Sequence, residues 1–381
     1  MYLSYYKSQR FFQKILAMLL VLSISFFTAG CGSDFEGYVD EEIDYGQDTV
    51  SKGDTNVHKI GVSMPTKDLQ RWIQDGQNIE QSLREKGFTV DLQYANNEIN
   101  LQSNQIAGMV QEGCEVLVIA AIDGTKLTDS LSVAKDAGIV VISYDRLIME
   151  SDAVSYYASF DNQMVGRLQG EYIEKALDLK NAKGPFNIEL FTGSPDDNNC
   201  NFFFGGAMEV LQPYIDSGKL VVPSGQINQQ DCSTKDWSTD NARERMNDLL
   251  KKYYSGGKKL DAVLSSNDSV ANGIVDALSK NYKGDFPVLT GQDCDINSVK
   301  DILKGRQSMS IFKDTRVLAA KVSEMVIAVI EKEEVPINDT TSYDNGTGVI
   351  PSFLCEPVFA DADNYKEVLL DSKYYTEDQL K

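Results

Sequence analysis

EVLVIAAIDGTKLTDSLSVAKDAGIVVISYDR, residues 115–146, decides the fold. It opens on VLVIAA (116–121), an apolar run without alternation. That is the pattern of a strand buried on both faces of a parallel sheet. A helical stretch over 125–137 ends at Gly138, a residue suited to the left-handed turn that closes a helix. IVVISYD (139–145) is the next strand. Upstream, KIGVSM (59–64) and FTVDLQYA (88–95) read as strands, with helices over 68–86 and 99–112 stopped by Gly87 and Gly113. Downstream, a second series begins after SYYASFD (155–161). It runs helix 162–177, NIELFTG (187–193), helix 199–216, LVVPSG (220–225), a helix near 239–253, LDAVLSSND (260–268), helix 269–280 and PVLTGQD (287–293). A later helix, 314–332, carries Leu318, Val322, Met325, Val326, Val329 and Ile330 on one side, and 350–381 reads as a short crossing and cap. Two successive βαβ sets predict an α/β chain with two doubly wound parallel-sheet lobes.

The chain has 381 residues, 42% hydrophobic, enough for two or three packed domains. Its 57 acidic against 36 basic residues give a formal charge of −21, which argues against a nucleic-acid partner. The lone histidine, His58, disfavours histidine catalysis and His-rich metal sites. No CxxC pair, GxxxxGK[ST] loop or GxSxG elbow is present, so the common zinc, nucleotide-phosphate and hydrolase motifs are missing. No cofactor is implied.

The first thirty residues read as a secretory signal. Lys7, Arg10 and Lys14 precede an apolar run from Ile15 to Phe27, too short for a comfortable membrane span of about 20 residues. Thr28, Ala29 and Gly30 then lead into Cys31, which resembles a bacterial lipobox with Thr28 in place of the usual leucine. Cys31 is the expected lipidation site, and residues 31–56, acidic and Gly-rich, read as a flexible tether. The location expected is the extracytoplasmic face of a bacterial membrane, through a lipid anchor. A bridge between Cys200 and Cys232 is conceivable but not fixed by sequence.

Ligands of open parallel sheets sit beyond the carboxyl ends of strands. Those places hold Lys67, Asp68, Arg71, Trp72, Asp123, Asp145, Arg146, Asp196 to Asn199, Asn267, Asp268, Asp293 and Lys313. This polar set suits hydroxyl groups. Carboxylates accept two hydroxyl protons, cations donate, and amides do both. Pairing of Asp145 with Arg146, and of Asp293 with Lys313, would offset the cost of enclosing the charges. Asp123 and Asp268 read better as helix caps than as contacts. Paired carboxylates also leave open a glycoside-processing enzyme.

MPTKDLQRW (64–72), IDGT (122–125), YDRLI (144–148), GSPDDNN (193–199), SND (266–268), GQD (291–293) and IFKDTR (311–316) fall in order at these strand ends. The chain resembles the type I periplasmic sugar-binding proteins, in particular the xylose-binding and ChvE-type multiple-sugar-binding branch, over roughly residues 57–381. The resemblance implies a non-enzymatic, monomeric receptor that captures a monosaccharide and delivers it to an ABC permease. A receptor serving a sensor kinase or chemoreceptor is the alternative. The resemblance also selects Asp197 and Asn199 within 196–199 and assigns Trp237 as a stacking tryptophan, with Trp72 for the opposite face. Core packing is the competing reading for both tryptophans. The implied contacts are Arg71, Trp72, Asp145, Arg146, Asp197, Asn199, Trp237, Asn267, Asp293 and Lys313. The implied crossings between lobes lie near 160, 314 and 351. One lobe would hold 57–160 and 314–350, the other 161–313 and 351–381.

Overall fold

The computed structural model describes residues 58–381. The expected signal segment (1–30), Cys31 and the tether (31–56) lie outside the described residues.

The first sheet has six parallel strands: β1 (Lys59–Met64), β2 (Thr89–Tyr94), β3 (Val116–Ile119), β4 (Val140–Tyr144), β5 (Val154–Phe160) and β11 (Ser352–Cys355). Their order is β11-β5-β4-β3-β1-β2. The unbroken apolar run at β3 is explained by two helical layers. Val116 and Val118 face α1 (Gln70–Glu85) and α9 (Thr315–Glu331), among Ile79, Leu83, Leu318, Val322 and Val326. Leu117 and Ile119 face the opposite layer, α2 (Ile99–Gln111) and α3 (Thr128–Asp136), among Ile106, Met109 and Leu131. Successive strand residues point to opposite faces, so a strand covered on both must be apolar throughout. Ile119→Ala would leave a cavity at a fully buried position and cost about 2–5 kcal/mol.

The second sheet contains β6 (Phe186–Phe191), β7 (Leu220–Val221), β8 (Ala262–Ser265) and β9 (Val288–Leu289), all parallel in the order β7-β6-β8-β9. An antiparallel ribbon of β10 (Met309–Phe312) and β12 (Val358–Asp361) completes this half. A parallel bridge from Ile311 to Gln292 joins the ribbon to the segment after β9. Around it lie α4 (Asn162–Ala176), α5 (Asn199–Asp216), α6 (Thr239–Leu249), α7 (Asp268–Asn281) and α8 (Ile296–Leu303). Helices α4 and α5 touch backbone to backbone. A Cβ at Gly206 would stand 2.1 Å from the Gln163 carbonyl oxygen.

The expected strands at 220–225 and 287–293 shrink to two residues each. In the first, Pro223 has no N–H for the ladder. Helix α8 was not expected as an element, and β10 was expected only as the strand end carrying IFKDTR, without a range. The chain passes between the sheets after β5, after β10 and between β11 and β12. The third crossing therefore follows Cys355 rather than lying near 351. Ser352 still pairs with Tyr157 of β5, so 351–355 belongs with the first sheet.

Candidate functional site

The carboxyl ends of the strands in both sheets face a common cleft. Arg71 and Trp72 open α1 after β1, and Asp145 and Arg146 follow β4. Asp197 and Asn199 lie at the start of α5, Trp237 precedes α6, Asn267 follows β8, Asp293 follows β9 and Lys313 follows β10. All ten line one narrow cavity of about 30 Å³. Leu69, Phe203, Ser269, Gln292 and Asp295 also line it.

Arg71 is the electrostatic hub. Its Nε donates to Asp75 Oδ2 at 3.1 Å, Nη2 pairs with Asp145, and Nη1 reaches Asp293 Oδ1 at 3.3 Å. Burial opposes its charge, but these three carboxylates more than compensate and raise its pKa well above the ordinary value. Burial alone would push the Asp145 carboxyl up, yet Arg71, then Lys313 and Arg146, hold it below the usual range. Lys313 Nζ lies 2.9 Å from Asp293 Oδ1, and its side chain is only 2% exposed.

The expected Asp145–Arg146 pair is replaced. Arg146 Nε stands 3.0 Å from Asp197 Oδ2, while Nη1 donates to the carbonyls of Ala121 and Ile122, each at 3.1 Å. Asp145 Oδ2 is taken by Arg71 instead. The reason is backbone geometry: Asp145 has φ 60°, a left-handed conformation directly after the end of β4, and its carboxyl meets Arg71 of α1. Burial raises the Asp197 pKa, with Arg146 opposing and Asp145 adding to the rise.

Asn199 bridges the lobes. Its Nδ2 donates to the Asp145 carbonyl at 2.7 Å, and its Oδ1 accepts from Tyr157 Oη at 3.1 Å. Asn267 Oδ1 caps α7 by accepting from Val270 N at 3.0 Å, which leaves its Nδ2 for the cavity. Asp268 is therefore not the cap expected from sequence. It is fully buried and accepts from Asp295 N, Gln307 Nε2 and Ser310 Oγ. Asp123 holds a turn through Thr125 N at 2.8 Å, three residues before α3 begins at Thr128, rather than capping the helix.

Both tryptophans serve core and cavity together. Trp72 is 3% exposed, and the Arg71 and Arg146 guanidinium carbons lie 5.2 and 5.1 Å from its ring. Trp237 is 5% exposed and sits edge-to-face on Phe203 at 6.4 Å. Its Nε1 and the Gln292 Oε1 are buried without partners. Unpaired buried polar atoms are costly unless a ligand or water completes them. Asp145, Trp237 and Asp293 all have positive φ, a concentration of backbone strain at the cleft.

Asp295, Gln292, Ser269 and Phe203 were missed from sequence. Asp295 lies two residues beyond Asp293, and the GQD motif stops short of it. Burial and the Asp293 charge push the Asp295 carboxyl to about 7. Asp75, behind Arg71, is also pushed to about 7 by burial, against Arg71. It lies one helical turn after Arg71, a spacing that was legible. Among the described residues no cluster of three metal-ligating side chains exists, and no helix is long and apolar enough to cross a membrane. Cys200 and Cys232 are free and buried, as are Cys114, Cys294 and Cys355.

Two parallel-sheet lobes, three crossings and a polar cavity between strand ends define a two-lobed ligand-binding protein. The family model for the periplasmic binding protein domain matches residues 60–334. The chain belongs to the periplasmic binding protein family. It is 53% identical over 326 residues to the multiple sugar-binding periplasmic protein SbpA of Azospirillum brasilense, covering 84% of this chain and 91% of that one. The multiple sugar-binding periplasmic receptor ChvE of Rhizobium radiobacter is 51% identical, with 84% and 92% covered. An ABC transporter solute binding protein from Clostridium phytofermentans, solved with bound β-D-glucose, is 60% identical with a TM-score of 0.84, covering 85% of this chain and 100% of that one.

Proposed function

We propose that this protein binds a monosaccharide outside the cytoplasm and delivers it to an ABC permease. The observation that carries the reading is the cavity itself, where cation–carboxylate pairs and two tryptophans meet between the lobes. A pyranose presents hydroxyls around its edge and C–H groups on its faces. Asp145, Asp197 and Asp293 accept from hydroxyls, while Arg71, Arg146, Lys313 and Asn267 donate. The indole faces of Trp72 and Trp237 suit the C–H surfaces. Each hydrogen bond to a charged partner contributes about 1.5–3 kcal/mol net. D-glucose is the first candidate, because the 60% identical relative holds β-D-glucose.

The mechanism proposed is hinge closure at the three crossings. Arg71 to Asp293 and Arg146 to Asp197 already join opposite lobes. A sugar inserted into these pairs gains its full contacts only when both lobes reach it, so binding shifts the population toward the closed form. Cys31 would carry the lipid that holds the protein at the membrane. The ChvE relative is a receptor, which favours a second reading in which the closed complex is presented to a signalling partner.

Calorimetric titration with D-glucose, D-galactose, D-xylose, L-arabinose and L-fucose tests the proposal. Saturable binding of at least one, with the sugar recovered chemically unchanged, is expected. Failure of all to bind refutes ligand capture, and turnover would replace it with an enzyme. Loss of acyl labelling and release from membranes on Cys31→Ala tests the anchor.

A further inference from the structure

The pole of the second lobe away from the cleft carries a charge opposite to the rest of the chain. Helix α7 starts at the cleft with Asp268 and runs 14 residues, so its far end lies about 20 Å away. There the α6 terminus continues as a π-helical turn, Leu250–Tyr254. Lys251, Lys252, Lys258, Lys259, Lys280 and Lys283 crowd this pole and are exposed. Of these six lysines only Lys259 forms an ion pair among the described residues, with Asp261 at 2.9 Å. Asp248 and Asp285 are exposed carboxylates interspersed with them, and Asp276 and Glu244 are exposed one helical turn before Lys280 and Asp248. Half-buried Tyr253 and Tyr282 lie between the lysines, and a groove of about 620 Å³ runs along Lys251, Lys258 and Lys283.

We propose that this lysine pole is a docking surface for anionic phospholipid headgroups. The inference rests on the reading that the protein works beside a membrane. A chain of net charge −21 does not gather unpaired lysines at one end without a local electrostatic cost. Lysines are point charges on flexible stems, suited to a diffuse layer of phosphates rather than to one fixed carboxylate. Tyrosines partly buried among them suit the boundary between headgroups and water. Screening over about 8 Å at physiological salt confines the interaction to groups at the contact, so the acidic remainder does not forbid it.

Residues 58–381 contain every core described and no acylation candidate, so this fragment isolates the pole from the anchor. It is sedimented with vesicles of phosphatidylcholine alone or mixed with phosphatidylglycerol. Binding to the anionic vesicles alone, abolished by high salt, is expected. A variant with Lys251→Gln, Lys252→Gln, Lys258→Gln and Lys283→Gln should bind at least about tenfold more weakly, and the four matching Lys→Arg changes should restore it. D-glucose titration on the same samples reports the cleft separately, and the glutamine variant should match the parent there. No sedimentation with anionic vesicles overturns the proposal. So does equal binding by the glutamine variant, or binding to inorganic polyphosphate without binding to vesicles.

Discussion

Gly193→Ala probes the cleft through one methyl group. Gly193 ends the run after β6, and a Cβ there would stand 2.0 Å from Trp237 Cη2, 2.2 Å from Cζ2 and 2.3 Å from Cζ3. No side-chain packing accommodates such distances, so the indole must move. It cannot slide freely, because it is 5% exposed and held edge-on by Phe203. Its backbone is already strained, with φ 55° at Trp237 and 58° at Asp236. Overpacking of this kind costs about 1–3 kcal/mol. If the displaced ring loses its place against the sugar, that cost appears as a roughly 5- to 150-fold rise in Kd. Gly205→Ala is the matched control: its nearest neighbour would be Gln163 Oε1 at 3.6 Å, an ordinary contact. Titration calorimetry with D-glucose on the parent and both variants measures the effect. Equal affinities for Gly193→Ala and Gly205→Ala would refute the argument that Trp237 must sit where it does for binding.

Both tryptophans of the chain line the cavity, so intrinsic fluorescence reports on the cleft alone. Saturating D-glucose should change the emission, and Trp72→Phe and Trp237→Phe should each remove part of the change. Arg146→Ala should weaken D-glucose binding by about tenfold or more in calorimetry, because it leaves Asp197 buried beside no cation. Stability should rise as pH falls from about 7 towards 5. The folded Asp75 carboxyl titrates at about 7 against roughly 3.9 unfolded, so the native state holds a proton that the unfolded chain releases. The slope from Asp75 is up to about 1.4 kcal/mol per pH unit; Asp295, also pushed to about 7, adds in the same direction, and Asp145, held below its usual range, adds none. Urea unfolding across the window measures it, and a slope that Asp75→Asn leaves unchanged would contradict the assignment. The five described thiols should resist alkylation until urea unfolds the chain, since all are buried and free.

Most of the fold was legible because burial on both faces leaves a clear trace. The run at 116–121 and the stops at Gly87, Gly113 and Gly138 carry local physics, and all three glycines have positive φ. Strand β11 was not legible, because pairing of Ser352 with Tyr157 is settled by contacts far apart in the chain. The ten cleft residues converge because strand ends in parallel sheets share a direction. Their pairing partners did not follow from sequence neighbours. Asp145 turns away from adjacent Arg146 to Arg71, a choice made by one left-handed residue. Asp295 was invisible because only the third dimension brings the residue preceding α8 to the cavity.

The late return of β11 to the first sheet, followed by β12 in the second, sets when the molecule can be finished. More than half the chain separates Tyr157 from the strand that covers its edge. Until the last thirty residues or so have been synthesised, both halves lack their closing strands and neither edge is sealed. Because β11 and β12 pair with strands laid down much earlier, neither sheet is complete until this late segment docks, and the contacts that finish the fold are long-range ones.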